Sequence, residues 1–146
     1  MVERVAATDD PCRLTSRSAR TLRRRRSTSF VRQPAIMAMT EVYAAIEPTR
    51  TEIDLLDGPT VLEFGSPWCG YCRVAQPLLA AALADHLRVR HIKIADGSGR
   101  RLGRSFRVKL WPTLVFLSNG RETARLVRPG DANAIRRALA QIDIAE

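Results

Sequence analysis

Two cysteines three positions apart, Cys69 and Cys72, are the residues of this chain best suited to do chemistry. A Cys-x2-Cys pair serves either a metal centre or a redox-active dithiol that opens and closes a disulfide. Two histidines follow, giving Cys69-x2-Cys72-x13-His86-x4-His91, a spacing inside the loose pattern of a zinc finger. The elements that must place these residues decide between the two chemistries. Residues 70–86 read as one helix, with Val74, Leu78, Leu79 and Leu83 at helical spacing. Along it Cys72 and His86 stand about 21 Å apart at 1.5 Å per residue. Zinc ligands lie about 2.0–2.3 Å from a shared ion. His91 falls in the following strand, so no metal site is expected. His86, at the helix end, reads as a surface residue that complements the helix dipole.

The dithiol reading fits the same helix. Cys69 occupies its first turn, where unpaired amides and the helix dipole favour a thiolate. Cys72 lies one turn further along and faces the same way. It is placed to attack a mixed disulfide at Cys69 and release the substrate reduced. Cys69 is therefore read as the nucleophile and Cys72 as the resolving thiol, with their own redox-active disulfide and no other cofactor. The preceding stretch Thr60-Val61-Leu62-Glu63-Phe64-Gly65 is nearly all apolar, as in a strand covered on both faces. Burial of the Glu63 carboxylate there favours its protonated form. Glu63 either faces water at a strand edge or lies beneath the dithiol. The second reading is preferred, because groups with perturbed ionisation cluster at sites.

The remaining pattern completes a frame for this pair. Val42, Ala45 and Ile46 suggest a short helix ended by Pro48, and Thr49-Arg50-Thr51-Glu52 has capping-box spacing ahead of a helix over 50–56. Pro77 is expected to kink the helix after the cysteines. Val89, His91, Ile92 and Ile94 suggest a second strand, followed by a turn over 96–99 and a short basic helix over 101–106. Strands over 113–117 and 123–127 flank Asn119-Gly120, a strong hairpin signal. Asp131 caps a last helix with Ile135, Leu139 and Ile142 on one face. The order implies an α/β fold, a mixed sheet of four or five strands with helices on both faces, parallel first and antiparallel at the edge.

The 146 residues divide into an Arg- and Ser-rich arm over 1–36 and one domain over 37–146. The net charge of +9 is mostly the arm's, which holds nine arginines against three acids. Arginines outnumber lysines 22 to 2, which reads as compositional bias, so no nucleic-acid partner is expected. The arm has too little apolar surface to offset its ordering entropy and is expected to be disordered. It reads as a basic tail, a targeting peptide or, by preference, sequence upstream of a start at Met37 or Met39, with Cys12 incidental. Three cysteines form no secreted disulfide framework, and neither a signal peptide nor a membrane-length apolar run is present. A cytoplasmic monomer with no membrane partner is expected.

The run Leu62-Glu63-Phe64-Gly65-Ser66-Pro67-Trp68-Cys69-Gly70-Tyr71-Cys72, with Pro77 and then Trp111-Pro112-Thr113 before a strand, resembles the thioredoxin family over about residues 40–143. The resemblance implies a thioredoxin fold and reduction of protein disulfides, with electrons from a thioredoxin reductase-type donor. Disulfide isomerase or oxidant activity, or a non-enzymatic binding module, are the alternatives. It implies that Pro112 is a cis proline beside the dithiol, and that Trp68, Gly70, Tyr71, Trp111, Pro112 and Thr113 meet substrate. It also makes Glu63 the buried acid that takes and returns the proton of Cys72 through water, with Lys93 near it. Gly65 stands where relatives carry an aromatic and is expected to open the surface beside Cys69, while Trp111 is expected to narrow or reshape the groove that Gly65 widens.

Overall fold

The structure, a computed structural model, describes residues 39–144, so the expectations for the arm and Cys12 lie outside the described residues. Four strands, β1 (Pro59–Gly65), β2 (Arg90–Ala95), β3 (Thr113–Ser118) and β4 (Arg121–Val127), form one sheet in the order β2-β1-β3-β4. β1 pairs parallel with β2 and antiparallel with β3, and β3 pairs antiparallel with β4. The helices are α1 (Arg50–Asp54), α2 (Gly70–Leu83), α3 (Leu102–Ser105) and α4 (Ala132–Ile142).

Strand alternation sorts the interior into two layers. Val61, Leu114 and Phe116 pack with Leu79, Ala82 and Leu83 of α2 and Ile135, Leu139 and Ile142 of α4. Leu62, Phe64, Ile94, Val115 and Leu117 pack with Ile53, Leu102 and Phe106 on the opposite face. β1 is central and covered on both sides, which explains its unbroken apolar run. Glu63 and Gly65 share the alternation of Val61, so both face α2. The pairing of Glu63 with Lys93 puts His91 and Lys93 on that face of β2.

Local caps fix the element ends. Thr49 and Glu52 form the reciprocal capping box of α1. Asp131 Oδ1 accepts the Ala134 N–H at 2.9 Å at the start of α4. Asn119 (φ 48°) and Gly120 (φ 74°) turn the hairpin. A side chain at Gly120 would run into the Asp54 backbone, so the turn needs glycine on steric as well as conformational grounds.

Several elements differ from their sequence pattern. No helix forms over 40–47. This segment instead runs along the free edge of β2, where the Ala44 N–H donates to Lys93 O at 2.8 Å and Thr40 Oγ1 to His91 O at 2.7 Å. Backbone groups satisfied by a strand edge are unavailable to a short, uncapped helix. α2 ends at Leu83, and its buried stripe is Cys72, Ala75, Leu79, Ala82 and Leu83, leaving Val74 exposed. His86 is not a free surface residue: its Nδ1 lies 2.8 Å from Asp143 Oδ2 just beyond α4. The sheet has four strands, because the segment over 40–47 docks as a strap and not as a fifth strand.

Candidate active site

The sharp exit of β1 through Ser66 and Pro67 delivers Cys69 to the N-cap of α2. There its Sγ accepts the Cys72 N–H at 3.1 Å, satisfying one of the helix's orphan amides. Trp68 beside it is 88% exposed, whereas Cys72 is 2% exposed. Both cysteines are free thiols. The two sulfurs are thus unequal: one partly exposed and capping the helix start, one enclosed between α2 and β1.

Enclosure acts on the ionisation of Cys72. Burial first, then its hydrogen bond with Cys69 and the charges of Cys69 and Glu63, push the thiol from about 9 up to about 12, against an opposing backbone hydrogen bond from Ser66. A group raised on folding holds its proton more firmly in the folded chain, so its stabilising contribution is complete below pH 9 and lost as pH rises toward 12. The reduced protein is therefore expected to lose thermal stability over that window more steeply than a Cys72→Ala variant. Parallel melting curves against pH for the two proteins would contradict the raised value. Tyr43 is also raised above its ordinary 10, by burial first and then by the charges of Cys72, Glu63 and Cys69, so part of its shift goes with Cys72 and adds to the difference between the two proteins.

Glu63 is fully buried on the α2 face of β1, not at a strand edge. Gln76 Nε2 donates to its Oε1, and His91 Nε2 lies 3.0 Å from its Oε2. Both oxygens of this buried carboxyl group thus face a hydrogen-bonding nitrogen. Lys93 sits across from Glu63 in the register yet reaches it indirectly, its Nζ donating to Gln76 Oε1 at 2.9 Å. Gly65 does not open the surface. A Cβ there would lie 2.7 Å from Cys72 Sγ and 3.2 Å from the Tyr43 hydroxyl, so those two groups occupy the space.

The Trp111–Pro112 peptide bond is cis. A groove of about 530 Å³ runs beside Cys69, with Trp68, Gly70, Tyr71 and Trp111 in its wall. Trp111 is held by its Nε1, which donates to Asp96 Oδ2 at 2.8 Å. Pro112 and Thr113 are buried and outside the groove wall. The Thr113 hydroxyl donates to Leu110 O at 2.6 Å, so its side chain braces the turn. Arg128, at φ 49°, places its guanidinium 3.9 Å from the centre of the Tyr71 ring and donates through Nε to Trp111 O at 3.0 Å.

Sequence reasoning singled out neither Tyr43, Gln76, Asp96 nor Arg128, and gave His91 no role at the dithiol. For His91 a signal existed: it lies two residues before Lys93, on the same strand face, once Glu63 and Lys93 are paired. The others depend on tertiary approach and leave no local mark.

The chain is similar to known proteins along this whole frame. The family model "Thioredoxin" matches residues 45–141. Thioredoxin from Chlamydia trachomatis is 28% identical over 81 residues, covering 56% of this chain and 79% of that protein. Human protein disulfide-isomerase A2 is 38% identical over 88 residues, covering 56% of this chain but 17% of that much longer protein. The structure of reduced thioredoxin 2 from Pseudomonas aeruginosa superposes with a TM-score of 0.65 at 55% identity, covering 72% of this chain and 97% of that one. With a family match spanning most of the chain and the dithiol at the start of the helix after its central strand, this protein belongs to the thioredoxin family.

Proposed function

We propose that the protein is a thiol–disulfide oxidoreductase that reduces protein disulfides in the cytoplasm through Cys69 and Cys72. The observation that carries this reading is the inequality of the two sulfurs, one partly exposed and capping a helix, the other buried within the electrostatic reach of Glu63. The Cys69 thiolate attacks one sulfur of a substrate disulfide, forming a mixed disulfide and expelling the other sulfur as a thiolate. Cys72 then gives its proton to Glu63 and attacks Cys69 Sγ. The mixed disulfide breaks, the substrate leaves with both sulfurs reduced, and the two electrons have come from the Cys69–Cys72 pair. A thiol held near 12 is scarcely ionised at neutral pH, which gives the second step its need for a proton acceptor.

The exchange uses no cofactor beyond the Cys69–Cys72 disulfide, which a thioredoxin reductase-type donor returns to the dithiol. Substrate lies in the groove lined by Trp68, Gly70, Tyr71 and Trp111. The direction of electron flow is tested by the reduction potential of the pair. A reductant is expected to lie near thioredoxin's value of about −270 mV. A value of about −120 to −180 mV would instead assign the protein as an oxidant or isomerase.

A further inference from the structure

The hydrogen bonds below the dithiol form one connected chain whose polarity is determined. Lys93 is a donor only, so the atom 2.9 Å from its Nζ must be the Gln76 carbonyl oxygen. Gln76 therefore turns its amide N–H toward Glu63 Oε1. At the other end, the Thr40 backbone N–H donates to His91 Nδ1 at 2.9 Å, which requires a lone pair on that nitrogen. The single imidazole proton then belongs on Nε2, 3.0 Å from Glu63 Oε2. The His91 and Glu63 side chains are 1% and 0% exposed, so their contact is closed to bulk solvent.

From this arrangement we infer that His91 is a positioning residue for the resolving step. As a neutral Nε2–H imidazole fixed by Thr40, it holds Glu63 as an ionised acceptor ready for the Cys72 proton. The inference rests on the oxidoreductase reading and assigns His91 a part in it. When Cys72 attacks, its proton passes to Glu63, the Cys72–Cys69 bond forms, and the Cys69–substrate bond breaks to release a thiolate. The other charged or titratable groups around Glu63 and His91 are Cys72 from α2, Lys93 from β2 and Tyr43 from the strap. The strap thus contributes to the site, through the tautomer that Thr40 imposes and through Tyr43 against Gly65.

The test follows mixed-disulfide release against pH in wild type, His91→Met and His91→Gln, with the wild-type imidazole read by long-range ¹H–¹⁵N spectra. His91→Met, which lacks a donor, is expected to slow release about tenfold at pH 6 and to move the acidic limb of the profile to higher pH. His91→Gln keeps an N–H donor and is expected to recover to within about threefold. The imidazole is expected as the Nε2–H tautomer at pH 7. A folded His91→Met with the wild-type profile, or an Nδ1–H tautomer, would overturn the inference while leaving the oxidoreductase reading intact. A wild type that forms no mixed disulfide would overturn both. If His91→Met does not fold, His91→Gln and the tautomer decide, and a His91→Gln that folds but loses the step tenfold counts against donor replacement.

Discussion

A Cys72→Ser variant is expected to stop after the first half-reaction and to stay joined to its substrate through a Cys69 disulfide. The cause is geometric. Cys69 is partly exposed and is the sulfur open to attack a substrate disulfide, while the atom proposed to break the resulting bond is Cys72 Sγ, buried one helical turn on. Serine keeps the size of that side chain but offers no sulfur to form the internal disulfide. Turnover falls to that of the buffer thiol, and a covalent adduct accumulates on denaturing, non-reducing gels. Cys69→Ser falls to the same background with no adduct, because the attacking atom itself is gone. An adduct with Cys69→Ser, or full turnover with Cys72→Ser, would reverse the assigned roles.

Glu63→Gln is expected to separate the two half-reactions. The amide matches the carboxylate in shape but takes no proton, so release slows by about 10²-fold, the lower end of what a positioned acid or base contributes. Alkylation of Cys69 by iodoacetamide should stay within about threefold of wild type, since Glu63 acts on Cys72. The substitution also carries a stability cost. Glu63 faces donors from Gln76 and His91 on its two oxygens, whereas an amide has one oxygen to offer them. One donor loses its partner in a fully buried place, at a cost of about 1–3 kcal/mol. Release kinetics at fixed folded fraction, with a denaturant melt alongside, check both effects. Unchanged release in a folded variant would remove Glu63 from the reaction.

The parts of this site differ in how far the sequence reveals them. The dithiol at a helix start is legible because strand, turn and helix are encoded locally, by an apolar run, Ser66-Pro67 and a 3.6-residue stripe. The same local logic fails over 40–47. Val42, Ala45 and Ile46 imitate a helix face, yet Val42 and Ile46 end up exposed, and what holds the segment is the unpaired edge of β2. Gly65 illustrates the same limit from the other side. A glycine beside a cysteine suggests open space, but a residue more than twenty positions earlier, Tyr43, fills it. The cis bond before Pro112 follows from family resemblance and from nothing in local propensity, since cis is a minority state for any such bond. Gln76 and His91 stand at ordinary helix and strand positions; the pairing of Glu63 with Lys93 brings His91 onto the carboxylate, and the packing of α2 on β1 brings Gln76.

The inequality of the two sulfurs underlies every step proposed here, and one measurement addresses it most directly. In a Cys12→Ser, Cys72→Ser background, the protein is mixed with a disulfide-bonded peptide, quenched in acid, and its adduct mapped by peptide mass spectrometry. One adduct is expected, a disulfide between Cys69 and the peptide, absent when Cys69 is also changed to serine. The Cys12→Ser, Cys69→Ser protein, left with Cys72 alone, is expected to form none at neutral pH. An adduct at Cys72, or none in either protein, would contradict the assignment of Cys69 as the attacking sulfur.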